Sequence, residues 1–120
     1  MRLSKIVQAD ISEWAKQPDV RAVLRVLQTQ VETKLKHKST YAYASYCSVK
    51  DVITVGKIAG IQVPSESKIK RILEQGVSNG SLYRLMPRAR DDAGFPHKIA
   101  LYTIRDTALR DELEKEVKAL

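Results

Sequence analysis

The stretch that decides the fold is residues 54–104, TVGKIAGIQVPSESKIKRILEQGVSNGSLYRLMPRARDDAGFPHKIALYTI. Its first segment, TVGKIAG, has the composition of a short helix that Thr54 caps and whose residues Ile58 and Ala59 face inward. Pro64 interrupts this helix, because proline has no amide hydrogen and forces the residue before it into an extended conformation. The stretch therefore begins with a helix and a turn.

A second helix is predicted directly after the proline. Ser65 is the expected N-cap, since a serine hydroxyl accepts a hydrogen bond from an amide group that the first turn leaves unpaired. Ile69, Ile72 and Leu73 recur at the spacing of one helix face, which predicts that this face is buried. Gly76 interrupts the apolar pattern and is predicted to end the helix.

Two strands are predicted beyond this helix. Gly80 permits a tight bend, and residues 82–86 and 99–104 have the composition of strands. The segment between them, residues 87–98, is rich in charge and too long for a two-residue turn. The stretch thus predicts a helix, a turn, a second helix and a hairpin with a basic tip.

This order resembles the winged helix-turn-helix family. In that family a small residue lies in the first helix of the pair, where Ala59 stands, and two apolar residues three apart lie in the second helix, matched by Ile69 and Ile72. Val63 occupies the turn position at which a glycine is usual. The resemblance covers about half of the chain and implies an α+β fold, mostly α, whose second helix contacts DNA.

Further helices are predicted on both sides of this stretch. Apolar stripes run from Leu3 to Trp14 and from Val20 to Leu35, and Pro18 separates them. A last helix begins at Asp106 or Thr107. The chain is predicted to be a single winged-helix domain over 1–120, with N-terminal helices in 1–38, the winged core in 40–104 and a C-terminal helix in 105–120.

Two segments admit more than one interpretation. Residues 39–47 have tyrosines at alternate positions, a spacing typical of a strand. Their alanines and the winged-helix order instead favour a short helix that begins near Thr40. After this segment Ser48 and Asp51 match a helix cap, whereas residues 52–54 match a short strand.

Composition indicates a globular chain with a polyanionic partner. The net charge is +7, and residues 21–50 hold six basic residues against one acidic residue, a local net charge of +5.

The single cysteine, Cys47, excludes an internal disulfide and a cysteine-based zinc site. Neither His37 nor His97 has a nucleophile at a suitable spacing, so no enzymatic activity, cofactor or metal is expected. Without an apolar run that could span a membrane, the expected location is cytoplasmic, at the nucleoid if the source is prokaryotic.

The predicted function is binding of double-stranded DNA by a small transcriptional regulator, with the helix over residues 65–76 in the major groove. Arginine suits guanine edges and lysine suits phosphates, although the same residue types also make an ordinary solvated helix face. The candidate contacts of the helix are Ser65, Ser67, Lys68, Lys70, Arg71 and Gln75. The candidate contacts of the wing are Arg84, Arg88, Arg90 and Lys98, with Asp91 and Asp92 reducing the local positive charge.

Two other functions stay open: a replication or chromatin-associated DNA binder with little sequence preference, and a winged-helix module that binds another protein. A homodimer is also predicted, because a small winged domain does not need the two terminal helices to close its core, which leaves their apolar stripes unpaired. The alternative is that both helices pack on the long helix of the same chain. The predicted dimer interface consists of Leu109, Leu113, Val117 and Leu120.

Overall fold

The chain begins with two consecutive helices, α1 (Lys5–Lys16) and α2 (Pro18–His37), in a computed structural model that describes residues 5–37, 45–86, 88–90 and 96–118. Only Gln17 separates the helices. Pro18 occupies the first turn of α2, where its missing amide hydrogen costs nothing, and Asp19 lies near the positive end of the helix. The predicted division of this region at Pro18 is confirmed.

Helix α2 is the central element of the hydrophobic core. Its buried residues are Val20, Val23, Leu24, Val26 and Leu27, each no more than 2% exposed. Helix α1, the third and fifth helices and the last strand all pack on it.

The third helix, α3 (Val49–Ala59), begins earlier than one of the two sequence interpretations placed it. Ser48 Oγ accepts a hydrogen bond from the amide of Asp51, whose carboxylate accepts one from the amide of Ser48, so the pair forms a capping box. The capping interpretation is therefore confirmed, and a strand over residues 52–54 is wrong. Thr54 lies in the middle of the helix and does not cap it.

The earlier start of α3 changes which residues face inward. Val52 and Gly56 are the buried positions of the helix. Ile58 lies two residues beyond Gly56, about 200° around the helix axis, and is 82% exposed. Ala59 is exposed as well. The prediction that Ile58 and Ala59 face inward is wrong for this reason.

The turn between α3 and α4 (Glu66–Ser78) begins at Gly60, whose φ of 72° lies in the left-handed region. Ser65 occupies the N-cap position of α4, but its hydroxyl accepts no amide hydrogen bond, so the predicted capping bond is wrong. Ile69, Ile72 and Leu73 are buried as predicted. The helix continues past Gly76 to Ser78, two residues beyond its predicted end.

In the described part of the chain, four strands form two antiparallel ladders. Strand β1 (Leu82–Leu85) follows the bend at Gly80, whose φ is 85°, and pairs with β4 (Leu101–Ile104). Between them β2 (Arg88–Arg90) pairs with β3 (Pro96–Lys98), so part of the predicted polar tip is itself a ladder. Both predicted strands are present, but β4 begins at Leu101, so Ile99 and Ala100 lie before the strand and not in it.

An isolated bridge joins Cys47 to the other edge of β4. The amide of Cys47 donates to the carbonyl of Tyr102 at 2.9 Å, and the amide of Tyr102 donates to the carbonyl of Cys47 at 2.8 Å. The predicted helix over residues 39–47 therefore does not extend through residues 45–47. Residues 39–44 lie outside the described part of the chain.

The last helix, α5 (Thr107–Lys118), packs against α2 of the same chain. Asp106 is its cap, since Oδ1 of Asp106 accepts from the amide of Leu109 at 2.8 Å. Leu109 and Leu113 are buried in the core, at 5% and 0% exposure. Their assignment to a dimer interface is wrong, because they contact this chain's own core. Val117 is half-buried, and Leu120 lies outside the described residues.

The fold is α+β and mostly helical. In the described part of the chain, none of the helices has the length and apolar character that crossing a membrane requires.

Candidate nucleic-acid interface

The exposed face of α4 is set by the apolar stripe on its opposite side. Ile69, Ile72, Leu73 and Gly76 are buried, and together they hold one side of the helix against the core. Residues on the opposite side of the helix therefore face solvent, since side chains project all around a helix. The exposed residues include five of the six predicted helix contacts: Ser65, Ser67, Lys70, Arg71 and Gln75.

Two of the predicted helix contacts are held by other elements. Lys68 is half-buried and forms an ion pair with Asp19 in the first turn of α2. The Oε1 atom of Gln75 accepts a hydrogen bond from Nε1 of Trp14 in α1, at 3.0 Å. These contacts fix α4 against the N-terminal helices and occupy two polar groups that the sequence assigned to DNA.

Lys70 and Arg71 are the cations that this face leaves available. Both are exposed, and neither makes an ion pair or hydrogen bond with another residue in the described part of the chain. They are consecutive and lie one turn after the start of α4. Lys70 is near enough to Glu74 to help lower the pKa of that carboxyl. Neither Lys70 nor Arg71 is held by an ion pair to a described residue, so both are accessible to an anion.

Glu74 lies one turn further along α4 and joins the helix to the β1–β4 ladder. Nη1 of Arg84 donates to Oε2 of Glu74 at 2.5 Å, and the hydroxyl of Tyr102 donates to Oε1 at 2.6 Å. The hydrogen bond from Tyr102 holds the pKa of Glu74 below its ordinary value, and the bond from Arg84 acts in the same direction. Burial, together with the bond to Glu74, raises the pKa of Tyr102 to about 12.

This three-residue contact was missed in the sequence. Glu74 and Arg84 are separated by 10 positions, and Glu74 and Tyr102 by 28. The available signal was the opposite charge of Glu74 and Arg84, which does not by itself identify a pair. Arg84, a predicted wing contact, is exposed but has its guanidinium paired with α4.

The other predicted wing contacts lie in the second ladder. Arg88 is the register partner of Lys98, and Arg90 is the partner of Pro96. Three basic positions therefore lie within one short antiparallel pair of strands, which continues from the end of β1. Asp91 and Asp92 lie outside the described residues.

Groups suited to other chemistry are sparse in the described residues. Burial raises the pKa of the Cys47 thiol to about 12, so this cysteine stays protonated at neutral pH and is a weak nucleophile. The described part of the chain contains no cluster of three or more His, Cys, Asp or Glu residues that could hold a metal ion.

Comparison of the chain with protein-family models, with curated proteins and with solved structures gave no match.

Proposed function

We propose that the chain is a winged helix-turn-helix protein that binds double-stranded DNA as a small transcriptional regulator, with α4 in the major groove. The observation that carries the proposal is the pair Lys70 and Arg71, whose exposed side chains form no ion pair in the described part of the chain, with Arg71 opposite the buried stripe of α4 and Lys70 on its flank. The major groove admits an α-helix, and arginine forms two hydrogen bonds with the guanine edge.

The order of elements supports the winged-helix part of the proposal. Helices α3 and α4 are joined by a short turn, and α4 leads through the Gly80 bend into β1, the hairpin and β4. The isolated bridge from Cys47 lies beside β4, on the edge where a third strand would pair. Glu74 ties the β1–β4 ladder to α4, so the ladder from which the β2–β3 hairpin extends is fixed on the proposed DNA-reading helix.

Lys70 and Arg71 have different proposed roles. Arg71 contacts a base edge, because its planar guanidinium can form two parallel hydrogen bonds. Lys70 contacts a phosphate, where a point charge is sufficient and the base sequence does not matter. Loss of Arg71 should therefore change sequence preference, whereas loss of Lys70 should not.

A fluorescence-anisotropy titration of labelled duplexes with different sequences tests the proposal. Arg71→Ala should weaken binding by about 1–3 kcal/mol and reduce the differences among duplexes. Lys70→Ala should weaken all duplexes alike and reduce the salt slope by about 1. Lys115→Ala removes an exposed lysine of α5 and serves as the matched control. It should affect binding only through the loss of one positive charge from the protein. If Arg71→Ala binds every duplex as the unchanged protein does, α4 is not the DNA-reading element.

A second candidate function is a winged-helix module that binds another protein. It is favoured by Ile58, a large apolar residue 82% exposed at the end of α3. The same titration distinguishes the candidates, because a protein-binding module should show no duplex binding at ~50 mM salt, where electrostatic attraction to DNA is strong.

A further inference from the structure

An open groove lies between α1 and the C-terminal half of α4. Its volume is about 560 Å³, and its lining includes Asp10 and Trp14 from α1 and Arg71, Gln75 and Ser78 from α4. Sites for small molecules typically have volumes of about 300–1,000 Å³ and combine an aromatic surface with a few polar groups. The groove has both properties.

The aromatic surface of the groove is held in place on two sides. The indole N–H of Trp14 donates to Gln75, and the far edge of the ring packs beside Gly76, where a Cβ would lie 3.1 Å from Cη2. The ring is half-buried and still lines the groove. A fixed and partly exposed indole is suited to stacking against a flat ring.

Two charged side chains of opposite sign line the groove together with this ring, Asp10 from α1 and Arg71 from α4. Asp10 and Arg71 are both exposed, and neither has an ion-pair partner in the described ranges. Glu74 also lines the groove, but its two oxygens are occupied by Tyr102 and Arg84. Among the described residues, the groove therefore offers a carboxylate and a guanidinium without ion pairs and an aromatic surface.

We propose that this groove binds a purine nucleotide with a guanine base. The base stacks on Trp14, its adjacent N–H donors meet the carboxylate of Asp10, and the phosphate meets Arg71. A carboxylate accepts hydrogen bonds but donates none, so it fits the two neighbouring donors of guanine and opposes the acceptor nitrogen on the same edge of adenine. An aromatic amino acid fits less well, because it carries its ammonium and carboxylate at the same end.

The site also bears on the proposed DNA contact. Arg71 belongs both to the groove and to the proposed DNA-reading face, so a bound nucleotide would compete with duplex DNA for it. This consequence rests on the proposed function, whereas nucleotide binding does not. The experiment below contains no DNA, and its failure is therefore distinct from failure of the DNA-binding proposal.

Trp14 provides the readout, because it is the only tryptophan of the chain. ¹⁵N-labelled protein gives one indole N–H cross-peak, which is followed in titrations with guanosine 5′-monophosphate, adenosine 5′-monophosphate, guanosine and ribose 5-phosphate. The guanine nucleotide should shift the cross-peak saturably. The adenine nucleotide, which lacks the paired donors, and guanosine, which lacks the phosphate, should bind roughly ten- to hundredfold more weakly. Ribose 5-phosphate should leave the cross-peak unchanged.

Two variants and two matched controls complete the test. Asp10→Asn and Arg71→Gln should each weaken the guanine nucleotide roughly ten- to hundredfold, and Arg71→Gln should leave guanosine binding unchanged. Glu13→Gln and Lys16→Gln change exposed residues of α1 that do not line the groove, and should bind as the unchanged protein does. The proposal is overturned if the guanine nucleotide gives no saturable shift, or if Asp10→Asn and Arg71→Gln leave its affinity unchanged. Equal affinity for the adenine nucleotide would overturn the contact between Asp10 and the base.

Discussion

Gly76 lies inside α4 at a point where a side chain would meet β1. A Cβ at this position would lie 2.4 Å from Cδ1 and 2.6 Å from Cγ of Leu82. Leu82 is 2% exposed and packed in the core, so it has little space into which to move. The glycine therefore allows β1 to approach α4 closely. Trp14 of α1 also packs beside Gly76.

Gly76→Ala should destabilise the protein although alanine is the better helix former. The gain in helix propensity is about 1 kcal/mol, but displacing Leu82 should cost more, for a net loss of about 1–3 kcal/mol. Urea denaturation measures the change. Gly56→Ala is the matched control, because it is also a buried helix glycine, whose nearest atom would lie 3.1 Å from the Cβ. The account of Gly76 is wrong if Gly76→Ala is as stable as the unchanged protein.

The docking of α5 combines apolar burial with an ion-pair network. Nη2 of Arg21 donates to Glu112 at 2.6 Å and to Glu116 at 3.0 Å, and Nε of Arg25 donates to Glu116 at 3.1 Å. Burial acts to raise the pKa of Glu116, but the hydrogen bonds from Arg21 and Arg25 outweigh it, so the pKa lies below its ordinary value of 4.5. Two arginines of α2 thus hold the last turns of α5.

Glu116→Gln should destabilise the protein at neutral pH by roughly 1 kcal/mol, since it removes a charge that faces two arginines. A carboxylate with a lowered folded pKa stabilises above its unfolded pKa, and the stabilisation is lost as the pH falls through the folded pKa. The difference between variant and unchanged protein should therefore shrink as the pH falls below about 4.5.

Glu114→Gln is the control for this network. Glu114 is half-buried and pairs with Lys118 of the same helix and not with α2, so its loss should affect stability less than that of Glu116. Thermal unfolding of the three proteins from pH 7 to about pH 3 compares them. Equal stability of Glu116→Gln and Glu114→Gln at neutral pH would show that the network does not hold α5.

Elements with a local signal were predictable from the sequence. Pro18 marks a helix start through its missing amide hydrogen and Asp106 through its side-chain oxygen, and the apolar stripe of α4 sets its buried face. The start of α3 was ambiguous because two cap signals, Thr54 and Ser48 with Asp51, lie in one apolar segment. Only the reciprocal bonds of Ser48 and Asp51 decide between them.

Contacts between distant parts of the chain could not be predicted. The close approach at Gly76, the bond from Trp14 to Gln75 and the contact of Glu74 with Arg84 and Tyr102 all depend on how elements pack. The exposed side of α4 was nevertheless predicted, because the buried stripe of the helix determines which residues face outward. Which of those residues are already paired required the structure.

At the scale of the whole molecule, the terminal helices complete the core of one chain. Leu113 of α5 is fully buried with the core residues of α2 and α4. A homodimer stays a prediction, but its interface must be built from residues other than Leu109 and Leu113.

Leu113→Ala should destabilise the protein by roughly 2–5 kcal/mol, because it opens a cavity in the core. Val117→Ala, at a half-buried position of the same helix, should cost less. Urea denaturation at several protein concentrations measures both. A loss below about 0.5 kcal/mol for Leu113→Ala, within the range of surface substitutions, would show that α5 is not part of the core.

The central claim is that the exposed face of α4 contacts duplex DNA, and a map of backbone amide shifts during titration with a DNA duplex tests it most directly. We expect the largest amide shift changes in the first half of α4, around Ser67, Lys70 and Arg71. The hairpin should show smaller changes, and α5 should show none. Changes centred on Ile58 or on α5, with α4 unaffected, would contradict the claim.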